Sequence, residues 1–204
     1  KRISPDYLHA GLGYGGIFFT KDINSLLKIG DDYHINLDLL RMVGDINRYQ
    51  RISFMERLEK VLGGPDGRLE GKTIAVWGLA FRPNTDDMRD APSITVIRGL
   101  TKRGATIRAF DPIANEKTRE ILPKITYCED PYEAAKGADA IAILTEWPEF
   151  SNIDFHKLQT ESDCRVIVDG RNLFSPKRMS QLGYEYISIG RTVVAPVPPE
   201  MATV

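Results

Sequence analysis

The amino-acid sequence predicts an α/β fold, in which a helical segment precedes a domain built on a parallel β-sheet. Between about residues 35 and 62, apolar side chains recur every three or four positions, which is the period of one long helix. After Gly67, short apolar runs alternate with helical patterns, an arrangement typical of parallel strands joined by helices that cover both faces of the sheet. Gly63-Gly64-Pro65 stops the long helix and separates the two parts.

Two helices are expected before this break. The first begins at Asp22, whose carboxylate suits a helix N-terminus, and ends near Gly30. The second covers about residues 35–62 and is roughly 40 Å long at about 1.5 Å per residue. Its apolar stripe is longer than a small domain can cover, so we expect it to form a symmetric dimer with a second copy of the chain. Asn47 and Gln50 lie within this stripe, and we expect them to set the helix pairing.

The elements of the α/β part alternate along the chain, and glycine or proline follows most of them. Strands are predicted at residues 73–79, 106–110, 125–128, 138–144, 166–168 and 184–187. Helices are predicted at residues 92–103, 114–122, 131–136, 155–159 and 176–182. We therefore divide the chain into a helical segment over residues 1–64, an α/β domain over residues 65–191 and a loose, proline-rich tail over residues 192–204.

The overall composition excludes several classes of protein. The 204 residues carry 27 basic and 28 acidic side chains, so the net charge of −1 gives no general attraction to nucleic acid or to an anionic membrane. The two cysteines, Cys128 and Cys164, fit no zinc or C-x-x-C spacing, so we predict buried thiols and no metal site. The sequence shows neither a signal peptide nor an apolar run long enough to span a membrane, so the chain is expected in the cytoplasm. Its polar first residues are atypical of a natural start, and we expect it to begin within a longer protein.

A twelve-residue motif, GLAFRPNTDDMR, follows the first predicted strand at residues 78–89. Parallel sheets bind their ligands at this end of the strands. The motif is not G-x-G-x-x-G, so it does not predict the usual pyrophosphate loop of dinucleotide-binding domains. It offers instead the guanidinium of Arg82, which suits a diphosphate oxygen, and the ring of Phe81, which suits a base or a ribose. The alternative is a solvated loop with Phe81 in the core.

Two further groups are candidates to complete a ligand site at the same edge. Residues 11–16 contain four glycines, which let backbone amides approach an anion or a sugar closely; the alternative is a flexible turn. Arg171 follows the strand at residues 166–168 and should face the crevice; alternatively, it forms an ion pair with Asp169. The stretch at residues 137–147 is interpreted as scaffold that ends in a packed tryptophan.

These motifs resemble those of the UDP-glucose/GDP-mannose dehydrogenase family, and the string RPNTDDMR favours its UDP-glucose branch. In that family the glycine-rich motif continues as GGSCFPKD, and its cysteine is the catalytic nucleophile. This chain has Ile17, Phe18 and Thr20 in place of the serine, the cysteine and the proline. It retains Lys21 and Asp22, the last two residues of the motif.

The resemblance covers nearly all of residues 1–191 and corresponds to the second half of the family. It implies that the helical part mediates dimerisation, that the α/β part is a Rossmann-like domain that binds UDP-sugar, and that the NAD-binding domain lies before residue 1. It implies NAD as the cofactor, contacted by Arg89, and a substrate contact made by Arg2 across a subunit interface. The implied substrate contacts are Arg2, Tyr7, Leu8, His9, Gly11, Gly13, Tyr14, Gly15, Phe81, Arg82 and Arg171.

The resemblance also implies a reaction. The family oxidises the primary alcohol of UDP-glucose twice with NAD and forms UDP-glucuronate. Its cysteine holds the aldehyde as a thiohemiacetal, and the lysine and aspartate that follow stabilise oxyanions and position water. Phe18 has no nucleophilic lone pair, so this chain alone is expected to be inactive. Lys21 and Asp22 are then either remaining catalytic groups or a helix cap.

Three functions stay open from the sequence. The first is a truncated or degenerate dehydrogenase of this family that retains the half of the protein that binds UDP-sugar. The second is a non-catalytic structural or regulatory subunit whose long helix pairs with a complete dehydrogenase. The third is an enzyme with an unusual mechanism that stops at the aldehyde and needs an NAD-binding domain upstream. The residues do not fix which nucleotide sugar is bound.

Overall fold

The structure, a computed structural model, describes residues 8–63 and 67–197. Helices α1 (Ile17–Asp32) and α2 (Asp38–Leu62) precede a sheet of six parallel strands. The strands are β1 (Thr73–Trp77), β2 (Thr106–Phe110), β3 (Thr126–Tyr127), β4 (Ala140–Ile143), β5 (Val166–Asp169) and β6 (Glu185–Ser188). The helices that connect them are α3 (Pro92–Lys102), α4 (Asn115–Ile121), α5 (Pro131–Ala135), α6 (Pro148–Ser151), α7 (Phe155–Glu161) and α8 (Pro176–Gln181).

The strands lie in the order β3-β2-β1-β4-β5-β6, and every neighbouring pair is parallel. The chain first moves outward on one side of β1 and then crosses to β4 on the other side, so the order reverses between β1 and β4. At such a point the loops that follow the two strands diverge and leave a crevice at the carboxyl edge of the sheet. The parallel, Rossmann-like sheet predicted from the alternating pattern is confirmed.

The sheet separates two hydrophobic cores. In β1, Ile74 and Val76 belong to one cluster, while Ala75 and Trp77 belong to the other. This division follows from the alternation of side chains along a strand. Residues of α2 and α3 cover the first face, and residues of α5, α7 and α8 cover the second. Both faces are therefore buried, as a parallel sheet requires.

Helix α1 begins at Ile17, ahead of the predicted start at Asp22. Its N-cap is Gly16, which has a φ of 78° that glycine adopts without strain. The N–H of Gly16 donates to the carbonyl oxygen of Arg89 at 3.0 Å. The start of α1 is thus held by a contact with a distant loop, and a capping rule based on the nearest acidic side chain could not locate it.

Helix α2 ends at Leu62 as predicted, and the core covers only its second half. Phe54, Met55 and Leu58 of that half are buried in the first core. The first half of α2, α1 and the turn between them leave large hydrophobic side chains more than half exposed: Phe18, Phe19, Ile29, Tyr33, Ile35, Leu39, Met42, Ile46 and Tyr49. The apolar stripe therefore extends beyond the domain that covers it, as its length predicted.

The short helix α6 was not predicted, because a single turn that begins at Pro148 has no period to detect. Beyond β6, Val194 exchanges two backbone hydrogen bonds with Tyr186, at 3.0 and 3.1 Å. The chain therefore stays on the sheet edge at this point, while residues 198–204 of the expected tail lie outside the described residues. The three-part division of the chain stays a prediction. In the described ranges, no helix combines the length and the apolar character that a membrane span needs.

Candidate functional site

The loops after β1, β4 and β5 meet at the carboxyl edge of the sheet, because parallel strands all end there. The β1 loop leaves its strand through Gly78, whose φ is 91°. A Cβ at this position would lie 2.7 Å from the backbone nitrogen of Thr145, which follows β4. The Thr145 hydroxyl also donates to the Ala80 carbonyl oxygen at 2.6 Å. Gly78 therefore permits close contact between the β1 and β4 loops.

Asp111, which follows β2, is buried and holds the β1 loop in place. Its Oδ2 accepts hydrogen bonds from the backbone N–H of Leu79 at 2.7 Å, that of Ala80 at 3.1 Å and the indole N–H of Trp147 at 3.0 Å. Its Oδ1 accepts two more from the turn after β2. In dinucleotide-binding domains an acidic residue near this place binds the cofactor ribose, but here the chain's own donors occupy both oxygens. This role of Asp111 was not predicted from the sequence, since Asp-Pro signals only a turn.

Arg171, which follows β5, pairs with Glu146 of the β4 loop and not with Asp169. The Arg171 side chain is only 16% exposed. Asp169 instead accepts from the backbone N–H of Arg171 at 2.8 Å and from the Tyr186 hydroxyl at 2.7 Å, and burial raises the pKa of its carboxyl. In the described part of the chain, Arg171 Nε and Glu146 Oε2 are buried without a hydrogen-bond partner. The pair thus leaves one donor and one acceptor without a hydrogen-bond partner among the described residues.

Phe81 and Arg82 lie together in the β1 loop. The guanidinium carbon of Arg82 is 5.2 Å from the centre of the Phe81 ring, within the range of a cation–π contact. Arg82 is exposed, whereas Phe81 packs partly against the first core and lies close to Gly16. Phe81 thus packs against the core while Arg82 stays exposed, and their role as ligand contacts stays a prediction.

Arg89, at the end of the same motif, is held by a bidentate ion pair with Asp87. Arg89 Nε donates to Asp87 Oδ1 at 2.9 Å, and Arg89 Nη2 donates to Asp87 Oδ2 at 2.7 Å. The hydrogen bonds from Arg89 hold the pKa of the Asp87 carboxyl below its usual value. The Arg89 side chain is still 61% exposed, so its guanidinium is both oriented and accessible.

Residues 11–16, here called the glycine loop, cross the carboxyl edge of the sheet from the β5 loop to the β1 loop. A Cβ on Gly11 would overlap the guanidinium of Arg171. A Cβ on Gly15 would lie 3.1 Å from the Cβ of Phe81. At Gly15 a Cβ would clash with the backbone of Asp90 and with Phe81, whereas at Gly11 it would meet only the movable end of the Arg171 side chain. The structure therefore brings Gly11, Gly15, Phe81 and Arg171 together. The role of the loop as a ligand contact stays a prediction.

Two side chains of α2 hold the glycine loop. The backbone N–H of Tyr14 donates to Asn47 Oδ1 at 2.7 Å, and Asn47 Nδ2 donates to the Tyr14 carbonyl oxygen at 3.1 Å. Arg51 Nη2 donates to the same oxygen at 2.9 Å. Gly13, with a φ of 86°, leaves the room that the Asn47 side chain occupies. The interpretation of Asn47 as a helix-pairing residue is therefore wrong. Arg51 was missed, although a cation one turn after Asn47 on the buried stripe was a visible signal.

The first turns of α1 carry the positions that the resemblance assigns to chemistry. Phe18 is 73% exposed, and Lys21 and Asp22 are exposed as well. Because α1 begins at Ile17, Asp22 lies beyond the first turn and does not cap the helix. The capping alternative for Lys21 and Asp22 is therefore wrong, and their catalytic role stays a prediction.

Neither cysteine lies where it could replace a nucleophile at position 18. Cys128 and Cys164 are free thiols buried in the second core, on the face of the sheet opposite α2. Burial raises the pKa of the Cys128 thiol above its usual value and that of the Cys164 thiol to about 11. Both thiols are therefore protonated near neutral pH, and the buried thiols predicted from the sequence are confirmed.

The other predicted substrate contacts lie at the start of the chain. Leu8 and His9 are exposed. Arg2 and Tyr7 lie outside the described residues. As ligand contacts, these four residues stay predictions.

Two family models match the chain. The UDP-binding domain of the UDP-glucose/GDP-mannose dehydrogenase family matches residues 75–176, and the central domain of the same family matches residues 1–49. The chain is 39% identical over 197 residues to a UDP-glucose 6-dehydrogenase from Pseudomonas aeruginosa, which covers 94% of the chain and 43% of that protein. It is 41% identical over 197 residues to the UDP-glucose 6-dehydrogenase YwqF from Bacillus subtilis, and this match covers 96% of the chain and 44% of that protein. The chain thus spans less than half the length of these relatives.

A solved structure is similar over nearly the whole chain. It is that of a UDP-glucose dehydrogenase from the hyperthermophilic archaeon Pyrobaculum islandicum, with a TM-score of 0.77 and 34% sequence identity. The similarity covers 93% of this chain and 40% of that chain. A UDP-D-ManNAc dehydrogenase from Pyrococcus horikoshii is also similar, with a TM-score of 0.71 and 25% identity over 89% of this chain and 40% of that chain.

Proposed function

The chain belongs to the UDP-glucose/GDP-mannose dehydrogenase family, and on this basis we propose that its described residues form the UDP-sugar-binding part of an NAD-dependent UDP-glucose 6-dehydrogenase. One observation carries the proposal. The glycine loop, the Phe81–Arg82 pair and the Arg171–Glu146 pair gather at the carboxyl edge of the sheet. An open parallel sheet binds its ligand at this edge, near the point where the strand order reverses.

The two arginines supply positive charge for the diphosphate of the ligand. Guanidinium groups donate paired hydrogen bonds to phosphate oxygens. Arg171 has a buried Nε without a partner, and Arg82 presents its donors at the surface. The sugar is placed along the glycine loop, where the absence of side chains permits a close approach. Since the chain as a whole carries a net charge of only −1, this attraction is local and should weaken with added salt.

NAD supplies the hydride acceptor in the activity proposed for the whole enzyme. The described α/β domain does not fit NAD in the usual way, because Asp111 is occupied by the chain's own donors and Thr145 lies against Gly78. Arg89, oriented by Asp87 and exposed, suits a phosphate of a cofactor that another domain holds. The proposal therefore assigns this domain to UDP-sugar and only Arg89 to NAD.

Phe18 limits the chemistry that the described residues can perform. A phenyl ring cannot add to an aldehyde, and both cysteines are buried on the other face of the sheet. Lys21 and Asp22 keep an ammonium and a carboxylate on the exposed first turns of α1, where they are available to polarise a bound sugar. We therefore propose that the chain by itself does not convert UDP-glucose to UDP-glucuronate.

The exposed hydrophobic side chains of α1 and α2 favour a homodimer. Leu39 is 82% exposed, and Met42 and Ile46 on the same helix are more than half exposed. Pairing of α2 with α2 of a second copy would remove the same residues from water on both sides of a two-fold axis. The second half of α2, which faces the core, would stay packed on its own chain.

Calorimetric titration of the chain with UDP, UDP-glucose, GDP-mannose and NAD tests the proposed site. UDP and UDP-glucose should bind more tightly than GDP-mannose and NAD. Arg82→Ala and Arg171→Ala should each weaken UDP binding about tenfold or more, the loss expected for one charged hydrogen bond. Arg48→Ala, on an exposed ion pair of α2, is the matched control and should bind as the parent does. The site is wrongly placed if both arginine variants bind UDP normally, and absence of any heat at millimolar UDP rejects the function.

A further inference from the structure

Asp90, which lies just before α3, has a backbone conformation that is rare for a residue with a side chain. Its φ is 48°, in the left-handed region. Its carboxylate accepts two hydrogen bonds, one at Oδ1 from Arg51 Nη1 at 3.0 Å and one at Oδ2 from the Thr20 hydroxyl at 2.6 Å. A strained conformation of this kind persists only where the surrounding contacts outweigh the strain. The two hydrogen bonds therefore hold the Asp90 carboxylate in one position.

Arg51 connects Asp90 to three other elements. The residue is only 6% exposed, and its guanidinium also donates to the Tyr14 carbonyl oxygen at 2.9 Å and to the Thr95 hydroxyl at 3.3 Å. The glycine loop, α2, α3 and the loop between β1 and α3 thus share one buried cation. A buried ion pair contributes little net stability, since apolar residues of similar volume stabilise as well or better. The arrangement is better explained by the orientation that it imposes.

Thr20 extends this network to α1. Its hydroxyl donates a hydrogen bond to Asp90. The family motif has a proline at this position, and proline has no side-chain donor that could replace this bond. Thr20 lies in the first turn of α1, next to Lys21 and close to Phe18. The first turn of α1 and the glycine loop are therefore tied to the same carboxylate.

From these contacts we propose that Arg51 and Asp90 are positioning residues. Their ion pair fixes the glycine loop and the first turn of α1 against the β1 loop, so that the sugar side of the site is formed before the ligand binds. Neither side chain touches the ligand, and both act through Tyr14 and Thr20. The identity of the ligand in this inference rests on the proposed function, whereas the ordering of the loop does not.

Hydrogen exchange measured by mass spectrometry tests the ordering without a ligand. In the whole chain, the amides of Tyr14 and Gly16 are hydrogen-bonded and should exchange slowly. Arg51→Met removes the charge and the hydrogen-bond donors and keeps most of the apolar stem. It should speed exchange in peptides over residues 11–20 by about tenfold or more, the factor produced by loss of one charge-assisted hydrogen bond. Amides of β1 and β4 should keep the parent's rate. Arg48→Ala on the same helix, which removes an exposed ion pair, should change nothing.

Thr20 provides a second pair of variants that keeps the inference testable if Arg51→Met does not fold. Thr20→Val removes the hydroxyl and keeps the shape, so it should also speed exchange over residues 11–20. Thr20→Ser keeps the hydroxyl and should restore the parent's rate. The proposal is overturned if the folded variants among Arg51→Met and Thr20→Val exchange as the parent does. It is equally overturned if exchange rises uniformly over the sheet, because that indicates general destabilisation.

Titration with two ligands separates this inference from the proposed function. Arg51→Met and Thr20→Val should bind UDP-glucose about tenfold more weakly, while UDP, held by Arg82 and Arg171, should bind nearly as it does to the parent. Equal losses for both ligands would overturn the positioning role, since a merely structural change affects both. If the parent binds neither ligand, the proposed function fails, and the exchange result alone decides whether Arg51 and Asp90 order the loop.

Discussion

Arg171→Ala should weaken UDP binding and also lower the stability of the fold, and a second substitution can separate the two effects. A hydrogen bond to a charged group is worth about 1.5–3 kcal/mol, which corresponds to a dissociation constant roughly 10- to 150-fold higher. The Arg171 side chain is only 16% exposed, so water can replace its contacts poorly and we expect the upper part of this range. Arg171→Lys keeps the charge but loses the planar pair of donors, and its affinity should lie between those of the parent and the alanine variant.

The loss of stability comes from Glu146, which Arg171→Ala leaves without its partner. Removal of one member of a fully buried ion pair costs about 3–5 kcal/mol. Glu146 is 29% exposed, so water screens its unpaired carboxylate. We therefore expect Arg171→Ala to lower the free energy of unfolding by about 1–3 kcal/mol. Glu146→Gln is neutral, so it leaves no unpaired charge when Arg171 is removed. The double variant Arg171→Ala with Glu146→Gln should therefore be more stable than Arg171→Ala by about 1–2 kcal/mol and still bind UDP weakly.

Urea unfolding measures the stability of these variants, and calorimetry at low salt measures their affinity for UDP. Glu146→Gln alone should retain UDP binding, because Arg171 is still present, and Arg48→Ala should match the parent in both assays. A loss of stability in Arg171→Ala with UDP binding as tight as in the parent would refute a role of Arg171 in the ligand site. Arg171 would then be one half of a structural ion pair, and the ligand would have to bind elsewhere.

Three other outcomes test separate parts of the structure. The parent chain with UDP-glucose and NAD should form neither NADH nor UDP-glucuronate, because Phe18 cannot hold the aldehyde; steady turnover in absorbance and chromatography would show that another group does so. Val43→Asp, on the partly exposed stripe of α2, should turn the dimer into a monomer in light scattering. The dimer would bury the unpaired charge of the new aspartate at a cost of several kcal/mol. A parent chain that is already monomeric at micromolar concentration contradicts the dimer. The free energy of unfolding should fall as pH rises from about 9 to about 11, because burial raises the pKa of the Cys164 thiol and the folded chain keeps a proton that the unfolded chain releases. The Cys164 thiol contributes at most about 3 kcal/mol to the free energy of unfolding, and this contribution is fully present below the pKa that the thiol has in the unfolded chain. Cys164→Ala should flatten the dependence of this free energy on pH, measured by urea unfolding at each pH. An unchanged dependence would show that other groups cause it.

The sequence alone determined the fold class and the edge of the sheet that carries the candidate site. The strand over residues 106–110 and the helix that begins at Pro92 lie where apolar period and turn residues predicted them. Such patterns are readable because burial imposes a period of two or of about 3.6 on each segment separately. The motif at residues 78–89 and the lack of a thiol at Phe18 were also visible, since residue types in a fixed spacing show which chemical groups are present.

Only the tertiary structure decided how the candidate residues are held. It pairs Arg171 with Glu146, and it places Asn47 and Arg51 against the backbone of Tyr14. It also sets the start of α1 through a contact with a loop far along the chain. Each of these contacts satisfies a buried charge or a backbone amide with a group that is distant in sequence. Which distant group is within reach depends on how all the packed elements fit together, and no local period or capping rule contains that information.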